Sequence, residues 1–294
     1  MTTTPARRSF KKNAGQNNHF LITVLVGLDS VRDGSAKLSA EFSTSWTPRN
    51  VSHSAARSRE YVLRSSLAWI TDLVDVYRSS VARMPGGMSA AKVSTIDAIH
   101  GRSLRLRELA KILGVDESPD EFLVRLAIYW RNRIVHSTSS SRLEGQVRAG
   151  LLASAKSLRD SHRGLDITRT IEHAKSGESP HFKEVASVIA AAHTLVCAID
   201  EGMLRHVDLE AYAEEALRSH LSRRFEEGDR QVFARMWPGS PGKTDRRVRQ
   251  FLVQSGLSAL LLEEERSLPE QYLVDLCVLS ASEARARFMD GRED

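Results

Sequence analysis

The amino-acid sequence predicts an all-α fold. Its 294 residues include only 8 prolines and 6% aromatic residues, and Ala, Leu, Arg and Glu are abundant. That composition favours helices over the many turns of a β-sandwich. Apolar residues also recur at three- and four-residue steps in several segments, the period of a helix face. A hydrophobic content of 41% is sufficient for one large domain, or for a domain with appended segments.

The first part of the chain gives weaker signals. Residues 1–18 are polar and basic, so they are predicted to form a disordered tail. Residues 20–31 are predicted as a short helix, with a strand as the alternative because several are β-branched. A loop is predicted over 43–54, because Pro48 removes a backbone donor.

The clearest helical pattern covers residues 55–84 and stops at Pro85-Gly86-Gly87. Further helices are predicted over 89–100, 104–113, 143–159, 182–204, 209–223, 245–257 and 270–287. The segment Pro238–Lys243 contains two prolines and two glycines, which continue neither regular element. We therefore predict a helical domain over 19–237 and a small C-terminal helical part over 238–294.

Charge and residue content limit the kinds of partner, cofactor and cellular location that the sequence predicts. The formal charge of +5 permits an anionic partner without requiring one. Cys197 and Cys277 lie in apolar contexts, so neither a disulfide framework nor a zinc site is expected. The histidines show no metal-ligand spacing, and we assign no metal and no other cofactor; those considered are His100, His162, His173, His193 and His206. Neither a secretion signal nor a membrane span is recognised, which makes the cytoplasm the expected location and a membrane partner unexpected.

One helix carries polar residues suited to chemistry. Acidic residues after Pro119 favour a helix start, and an apolar stripe follows, formed by Leu123, Ala127, Trp130 and Ile134. On a helical wheel Asn132 and His136 share the opposite face, with Tyr129 near them. Arg131 lies at the margin between the two faces, so its long side chain is needed to reach His136.

Arg131, Asn132 and His136 together suit cleavage of a phosphodiester without a metal. Histidine titrates near neutral pH, so it can accept a proton from a ribose 2′-hydroxyl or donate one to the departing oxygen. The guanidinium can stabilise charge that grows on phosphorus, and the amide can orient the phosphate. The set lacks a second acid or base, which a two-fold symmetric homodimer would supply by bringing two motifs to one cleft.

The stretch from Arg131 to His136, Arg-Asn-Arg-Ile-Val-His, resembles the signature of HEPN domains, in which an arginine and a polar residue precede a histidine. The resemblance implies a HEPN-like helical bundle over about 55–204, with additional N- and C-terminal helical segments. It also implies homodimerisation and metal-independent cleavage of RNA that leaves a 2′,3′-cyclic phosphate and a 5′-hydroxyl. HEPN ribonucleases occur in toxin, antiviral-defence and stress systems.

The expected function is therefore that of a metal-independent endoribonuclease, a toxin or antiphage effector. Its expected partners are RNA, a second copy of the chain, and an antitoxin or regulatory protein. Arg131, Asn132 and His136 are the expected catalytic residues, and Tyr129 and Arg133 are expected to bind substrate. Arg133 also fits an ordinary surface ion pair.

Two other functions are compatible with the sequence. A non-catalytic HEPN-like dimer would bind RNA, a nucleotide or a protein partner through the same face. A helix-turn-helix regulator is suggested by Leu106–Val115, but Pro119 and the acidic residues around it lie where a DNA-facing helix would begin. Asp72 and Asp75 interrupt the apolar pattern of the long helix; we interpret them as exposed capping or ion-pair residues, with a hydrogen bond to the active face as the alternative.

Overall fold

The computed structural model describes residues 3–37, 39, 41, 46, 48–135, 142–257 and 268–290. Within these residues all regular structure is helical, which confirms the predicted all-α class. The helices are α1 (Pro5–Arg32), α2 (Val51–Ala82), α3 (Ala90–Ala98), α4 (Arg102–Ile112), α5 (Pro119–Val135), α6 (Gly145–Ala153), α7 (Ala155–Ser161), α8 (Ile167–Ser176), α9 (Phe182–Leu204), α10 (Leu209–Glu226), α11 (Val232–Met236), α12 (Pro241–Gln254), α13 (Glu270–Cys277) and α14 (Ala281–Arg285). Helix α14 continues into a π-helical turn at Ala286–Asp290.

The chain divides into two compact units, whose bounds differ from those predicted. The motif unit contains Ser9–Arg78 and Ile99–Ile199. The terminal unit contains the described residues of Met1–Arg8, Ser79–Ala98 and Asp200–Asp294. The predicted boundary at 238 therefore lies inside the terminal unit, and the predicted core over 55–204 is shared between the two units.

Helix α1 differs from the prediction of a disordered tail up to residue 18. It begins at Pro5 and runs for 28 residues. Its buried residues recur at three- and four-residue steps, namely Phe10, Ala14, Asn17, Leu21 and Leu25. Because Ala14 is small and Asn17 is polar, this face shows little hydrophobicity in the sequence. It can be recognised as a buried face only from the residues that pack against it in the structure.

Helices α1, α2 and α9 pack together in the motif unit. Asn17 donates to the Ser66 hydroxyl at 3.2 Å, and both side chains are buried. The Tyr77 hydroxyl of α2 donates to the Val196 carbonyl of α9 at 3.2 Å. The ring of Phe10 meets Tyr77 edge-on, with centroids 6.0 Å apart.

Helix α5 lies in the interior of the motif unit, in contact with α4, α6 and α8. Its contact with α6 is close, because a Cβ placed on Gly150 would lie 2.2 Å from the Phe122 ring. A side chain at position 150 would therefore clash with the Phe122 ring, which would have to move.

Helices α6, α7 and α8 were only partly predicted. The helix expected over 143–159 is two helices joined at Ser154, and α8 was not expected. Helix α8 is delimited by local signals at both ends: the Asp166 carboxylate accepts the Arg169 backbone N–H, and Gly177 has a left-handed conformation with φ of 73°.

The terminal unit is built on α10 and the helices that follow it. Asp208 caps α10 by accepting the N–H groups of Glu210 and Ala211. The buried Trp237 donates its indole N–H to the Leu276 carbonyl at 2.8 Å and thereby connects the end of α11 to α13. Helix α12 starts at Pro241, so the predicted breaker 238–243 is helical in its second half. The helix expected over 270–287 is interrupted before Ser280, which forms a capping box with Glu283.

Candidate functional site

The candidate site lies on the last turn of α5. This helix starts on a capped first turn: the Ser118 hydroxyl accepts the Glu121 N–H at 3.1 Å, and Asp120 and Glu121 suit the helix dipole. From Glu121 to Ile128 every side chain is buried, a wider buried surface than the single apolar stripe that was predicted. The side chains of α5 become accessible to solvent in its last turn, where Arg131, Asn132 and Arg133 are partly exposed and Val135 is exposed.

Arg131 and Asn132 are in contact. The Arg131 Nη1 group donates to the Asn132 Oδ1 atom at 3.3 Å, and the Arg131 Nη2 atom lies 3.6 Å from the Asp72 Oδ1 atom of α2. The Arg131 side chain is only 15% exposed, whereas the Asp72 side chain is 45% exposed. The guanidinium is thus held at the protein surface between an amide and a carboxylate.

Asp72 belongs to a network of acidic and basic side chains on α2, α4 and α5. The Arg102 Nη1 group also pairs with the Asp72 Oδ1 atom, and the Arg102 Nε atom lies 3.4 Å from the Asp75 Oδ2 atom. Asp75 in turn accepts a hydrogen bond from the buried Arg78 Nε group at 3.0 Å. Asp72 and Asp75 are therefore each shared by two guanidinium groups. Asp72 and Asp75 both form ion pairs, as interpreted from the sequence. One of the ion pairs of Asp72 is with Arg131, a residue of the candidate site.

The two expected substrate-binding residues have different environments. Arg133 donates from Nη2 to the Lys175 carbonyl at 3.2 Å, so its head is directed to the end of α8. Tyr129 is partly buried on α5. Trp130 is fully buried and donates its indole N–H to the Glu178 carbonyl at 2.8 Å. The last turn of α5 is therefore attached to the segment that joins α8 to α9.

His136, the third expected catalytic residue, lies outside the described residues, as does the serine-rich run that follows it. In the sequence His136 comes directly after Val135, the last residue of α5. The described part of the site consists of Arg131, Asn132 and the acidic residues that meet them.

A buried ion-pair network supports α5 from within. Arg125 and Glu121 are both fully buried, and their Nη1 and Oε1 atoms lie 2.9 Å apart. Arg125 also pairs with Glu144 and donates from Nε to the Ser103 hydroxyl at 3.1 Å. The sequence analysis predicted only that acidic residues after Pro119 favour the helix start, and it gave no role to Arg125. Opposite charges at the i,i+4 spacing are typical of an exposed helix face, so the sequence does not indicate that this pair is buried.

A basic groove of about 450 Å³ lies in the terminal unit and was not predicted. Its lining includes His220 and the arginines Arg223, Arg224, Arg235 and Arg247. Burial lowers the pKa of His220, and the positive charges of Arg223 and Arg224 lower it further. The arginines are dispersed over 25 positions and three helices, so no run of basic residues marks the groove in the sequence.

A second open groove, of about 570 Å³, lies in the motif unit. Its lining includes Arg49, Arg57, His53 and the largely exposed Tyr61. Cationic side chains beside an exposed aromatic ring are typical of surfaces that bind single-stranded nucleic acid.

Within the described residues, His173, His181 and Glu184 form a cluster able to hold a metal ion. The sequence had placed His173 among histidines without metal-ligand spacing. The cluster was missed because its members lie in α8, in the connection that follows it and in α9, and α8 had not been predicted.

Comparison of the chain with models of protein families, with curated proteins and with solved structures gives no match. One helix among the described residues, α9, is long and apolar enough to cross a membrane by length and composition. More than half of its apolar window is buried within the protein, and the core helix of a globular protein meets the same criterion.

Proposed function

We propose that this chain is a metal-independent endoribonuclease with Arg131, Asn132 and His136 as its catalytic residues. The observation that carries the proposal is the placement of Arg131: a guanidinium in contact with an amide at the emerging end of a buried helix. The resemblance of Arg131–His136 to the HEPN signature supports the same function.

In the proposed reaction the ribose 2′-oxygen attacks the adjacent phosphorus and the bond from phosphorus to the 5′-oxygen breaks. One His136 imidazole accepts the proton of the 2′-hydroxyl, and the protonated imidazole of a second copy of the chain donates a proton to the departing 5′-oxygen. Arg131 stabilises the charge that develops on the equatorial oxygens, and Asn132 orients the phosphate. The products are a 2′,3′-cyclic phosphate and a 5′-hydroxyl, so atoms and charges balance without a cofactor.

In the absence of RNA, the Arg131 guanidinium of the proposed site is paired with Asp72. In the free protein its carboxylate compensates the Arg131 charge, and Arg102 competes for the same carboxylate. An RNA phosphate that approaches Arg131 would displace Asp72 toward Arg102, so the guanidinium changes partner without losing one. This exchange costs little because Asp72 is partly exposed and solvated.

The proposed setting is a HEPN-like homodimer that acts on RNA in the cytoplasm, as a toxin or antiphage effector restrained by an antitoxin or regulatory protein. A composite site of two subunits requires dimerisation. Specific activity should therefore fall when the protein is diluted below its dimer dissociation constant. Analysis of the cut ends tests the chemistry, since 3′-phosphate or 3′-hydroxyl ends formed without a cyclic intermediate would contradict it.

The ion pair between Arg131 and Asp72 also favours a second function, that of a non-catalytic dimer which binds RNA, a nucleotide or a protein partner through this face. In that function the ion pair holds the Arg131 side chain in the orientation that contacts the bound RNA, nucleotide or protein partner. Binding without cleavage, by protein that is fully folded and dimeric, would support this second function.

A further inference from the structure

Two histidines and a glutamate converge where α8 meets α9 in the motif unit. The Nδ1 atom of His173 lies 3.0 Å from the Oε1 atom of Glu184, and the Nδ1 atom of His181 lies 3.2 Å from the Oε2 atom of the same carboxylate. One ligand atom from each of the three residues lies within 4.8 Å of the other two. The two imidazole rings also lie close together, with centroids 5.0 Å apart and planes inclined by 34°.

These distances suit a metal ion. Zinc binds imidazole nitrogen and carboxylate oxygen at about 2.0–2.2 Å, so two ligand atoms of a tetrahedral site are separated by about 3.3 Å. The observed separations of 3.0 and 3.2 Å, each to a different oxygen of Glu184, are close to that value, and all three ligand atoms lie within 4.8 Å of one another. We propose that His173, His181 and Glu184 bind one divalent transition-metal ion of the zinc type, with water in the fourth position.

The backbone positions the cluster before any ion arrives. Helix α8 ends at the left-handed Gly177, and a short connection leads to His181 directly before α9. The His181 backbone N–H donates to the Glu184 Oε2 atom at 2.7 Å, which fixes the carboxylate at the start of α9. Glu184 and His173 are almost fully buried, whereas His181 is 60% exposed and leaves the site open to solvent.

The other nitrogen of His173 lies between a basic and an acidic side chain. Arg169 donates from Nε to the His173 Nε2 atom at 3.3 Å, so in the metal-free protein the ring proton resides on Nδ1 and is donated to Glu184. A metal at Nδ1 would move that proton to Nε2. With the proton on Nε2, Arg169 could no longer donate to this nitrogen. The Glu178 Oε2 atom, 3.8 Å from Nε2, would have to move closer to accept the proton and give the carboxylate–histidine–metal arrangement common in metalloproteins.

If Glu184 has only a structural role, the cluster is not expected to bind a metal ion selectively. Glutamate at the third position of a helix commonly caps the helix by accepting a backbone N–H, and the histidines would then be ordinary hydrogen-bond donors. Capping alone gives no selective affinity for zinc or cobalt. It also gives no dependence of metal binding on the exposed side chain of His181.

The proposal is tested on the full chain after treatment with a chelator and its removal. Titration with zinc chloride in a calorimeter should give one ion per chain, and cobalt chloride should give the intense visible bands of a tetrahedral site. His181→Ala and Glu184→Gln should weaken binding by more than the roughly 10–100-fold that loss of an outer-shell partner costs. His206→Ala, which removes an exposed histidine of the terminal unit, should leave zinc affinity unchanged.

Because His181 is exposed, His181→Ala is expected to remain folded, and circular dichroism checks this. Absence of stoichiometric binding in the wild type would overturn the proposal, as would full retention of binding in folded His181→Ala. Binding that raises the wild-type unfolding temperature and not that of His181→Ala would support it. None of these readouts depends on RNA cleavage, so the outcome is separate from that of the proposed ribonuclease function.

Discussion

The Arg131 guanidinium and the Asp72 carboxylate lie 3.6 Å apart, although the two residues are 59 positions apart in the sequence. This contact joins the end of α5 to the middle of α2. It places an acidic group directly beside the arginine that the proposed reaction needs. The position of Arg131 in the proposed site therefore depends on how α2 and α5 pack in the motif unit.

Arg131→Ala should reduce kcat for RNA cleavage by about 100–1,000-fold, the usual effect of removing a donor that stabilises transition-state charge. The dissociation constant for RNA should change by much less, because the contact strengthens as charge develops on phosphorus. Single-turnover cleavage and filter binding measure the two effects. Arg148→Ala, which removes an exposed arginine of α6, is the control. A fall in affinity with unchanged kcat would make Arg131 a binding residue.

Asp72→Asn should tighten RNA binding, because the substituted amide no longer competes with phosphate for Arg131. The gain should be at most about fivefold, since exposed ion pairs contribute no more than about 1 kcal/mol. Asp160→Asn removes the same charge from an exposed position on α7 and controls for general electrostatic attraction. Weaker binding by Asp72→Asn than by this control would show that Asp72 is needed to hold Arg131 in place.

Glu121→Gln should lower the free energy of unfolding by about 3 kcal/mol, because it leaves the buried Arg125 charge undercompensated. The effect lies at the low end of the range for broken buried pairs, since Glu144 continues to pair with Arg125. Urea denaturation measures it. Glu172→Gln breaks an exposed pair with Lys175 and should cost less than about 1 kcal/mol. Equal effects of the two substitutions would contradict the buried network.

The groove around His220 should make stability depend on pH. Burial, and then repulsion by Arg223 and Arg224, lowers the His220 pKa from its usual value of 6.5, although Glu227 acts in the opposite direction. The unfolded chain therefore binds this proton at a higher pH than the folded chain does. The stabilisation is present above about pH 6.5 and is lost as the pH falls through the folded pKa.

The unfolding free energy of the wild type, measured between pH 7.5 and pH 5, should thus fall more than that of His220→Gln. His206→Gln, at an exposed position, should behave as the wild type does. The same decrease in His220→Gln and in the wild type would exclude His220 as a source of the pH dependence.

Helix periodicity predicted the parts of the fold that have strong apolar patterns. Helix α9 was predicted with its observed bounds, 182–204, because its apolar residues are dense and it is bounded by polar segments. Helix α1 was predicted incompletely, because its buried face contains Asn17 and Ala14 as well as large apolar residues. Helix α8 was missed because its buried face includes Thr170 and His173, which are polar in isolation.

The sequence identified the helix of the candidate site but not its surroundings. Placing Arg131 and Asn132 together required only the local spacing on α5. The contacts with Asp72, and the burial of Arg125 against Glu121, depend on which helices pack against α5. Periodicity shows that a helix has a buried face and does not show its neighbour.

The most direct test of the proposed ribonuclease is cleavage of total RNA by the purified full chain in excess EDTA, below the unfolding temperature of the chelated protein. Wild type and His136→Ala should be compared at equal concentration, with the dimer content of each verified. We expect the wild type to cut RNA under chelation, leaving 2′,3′-cyclic phosphate ends, and His136→Ala to leave the RNA intact. Equal cutting by the two proteins, or no cutting by folded, dimeric wild type, would contradict the proposed function.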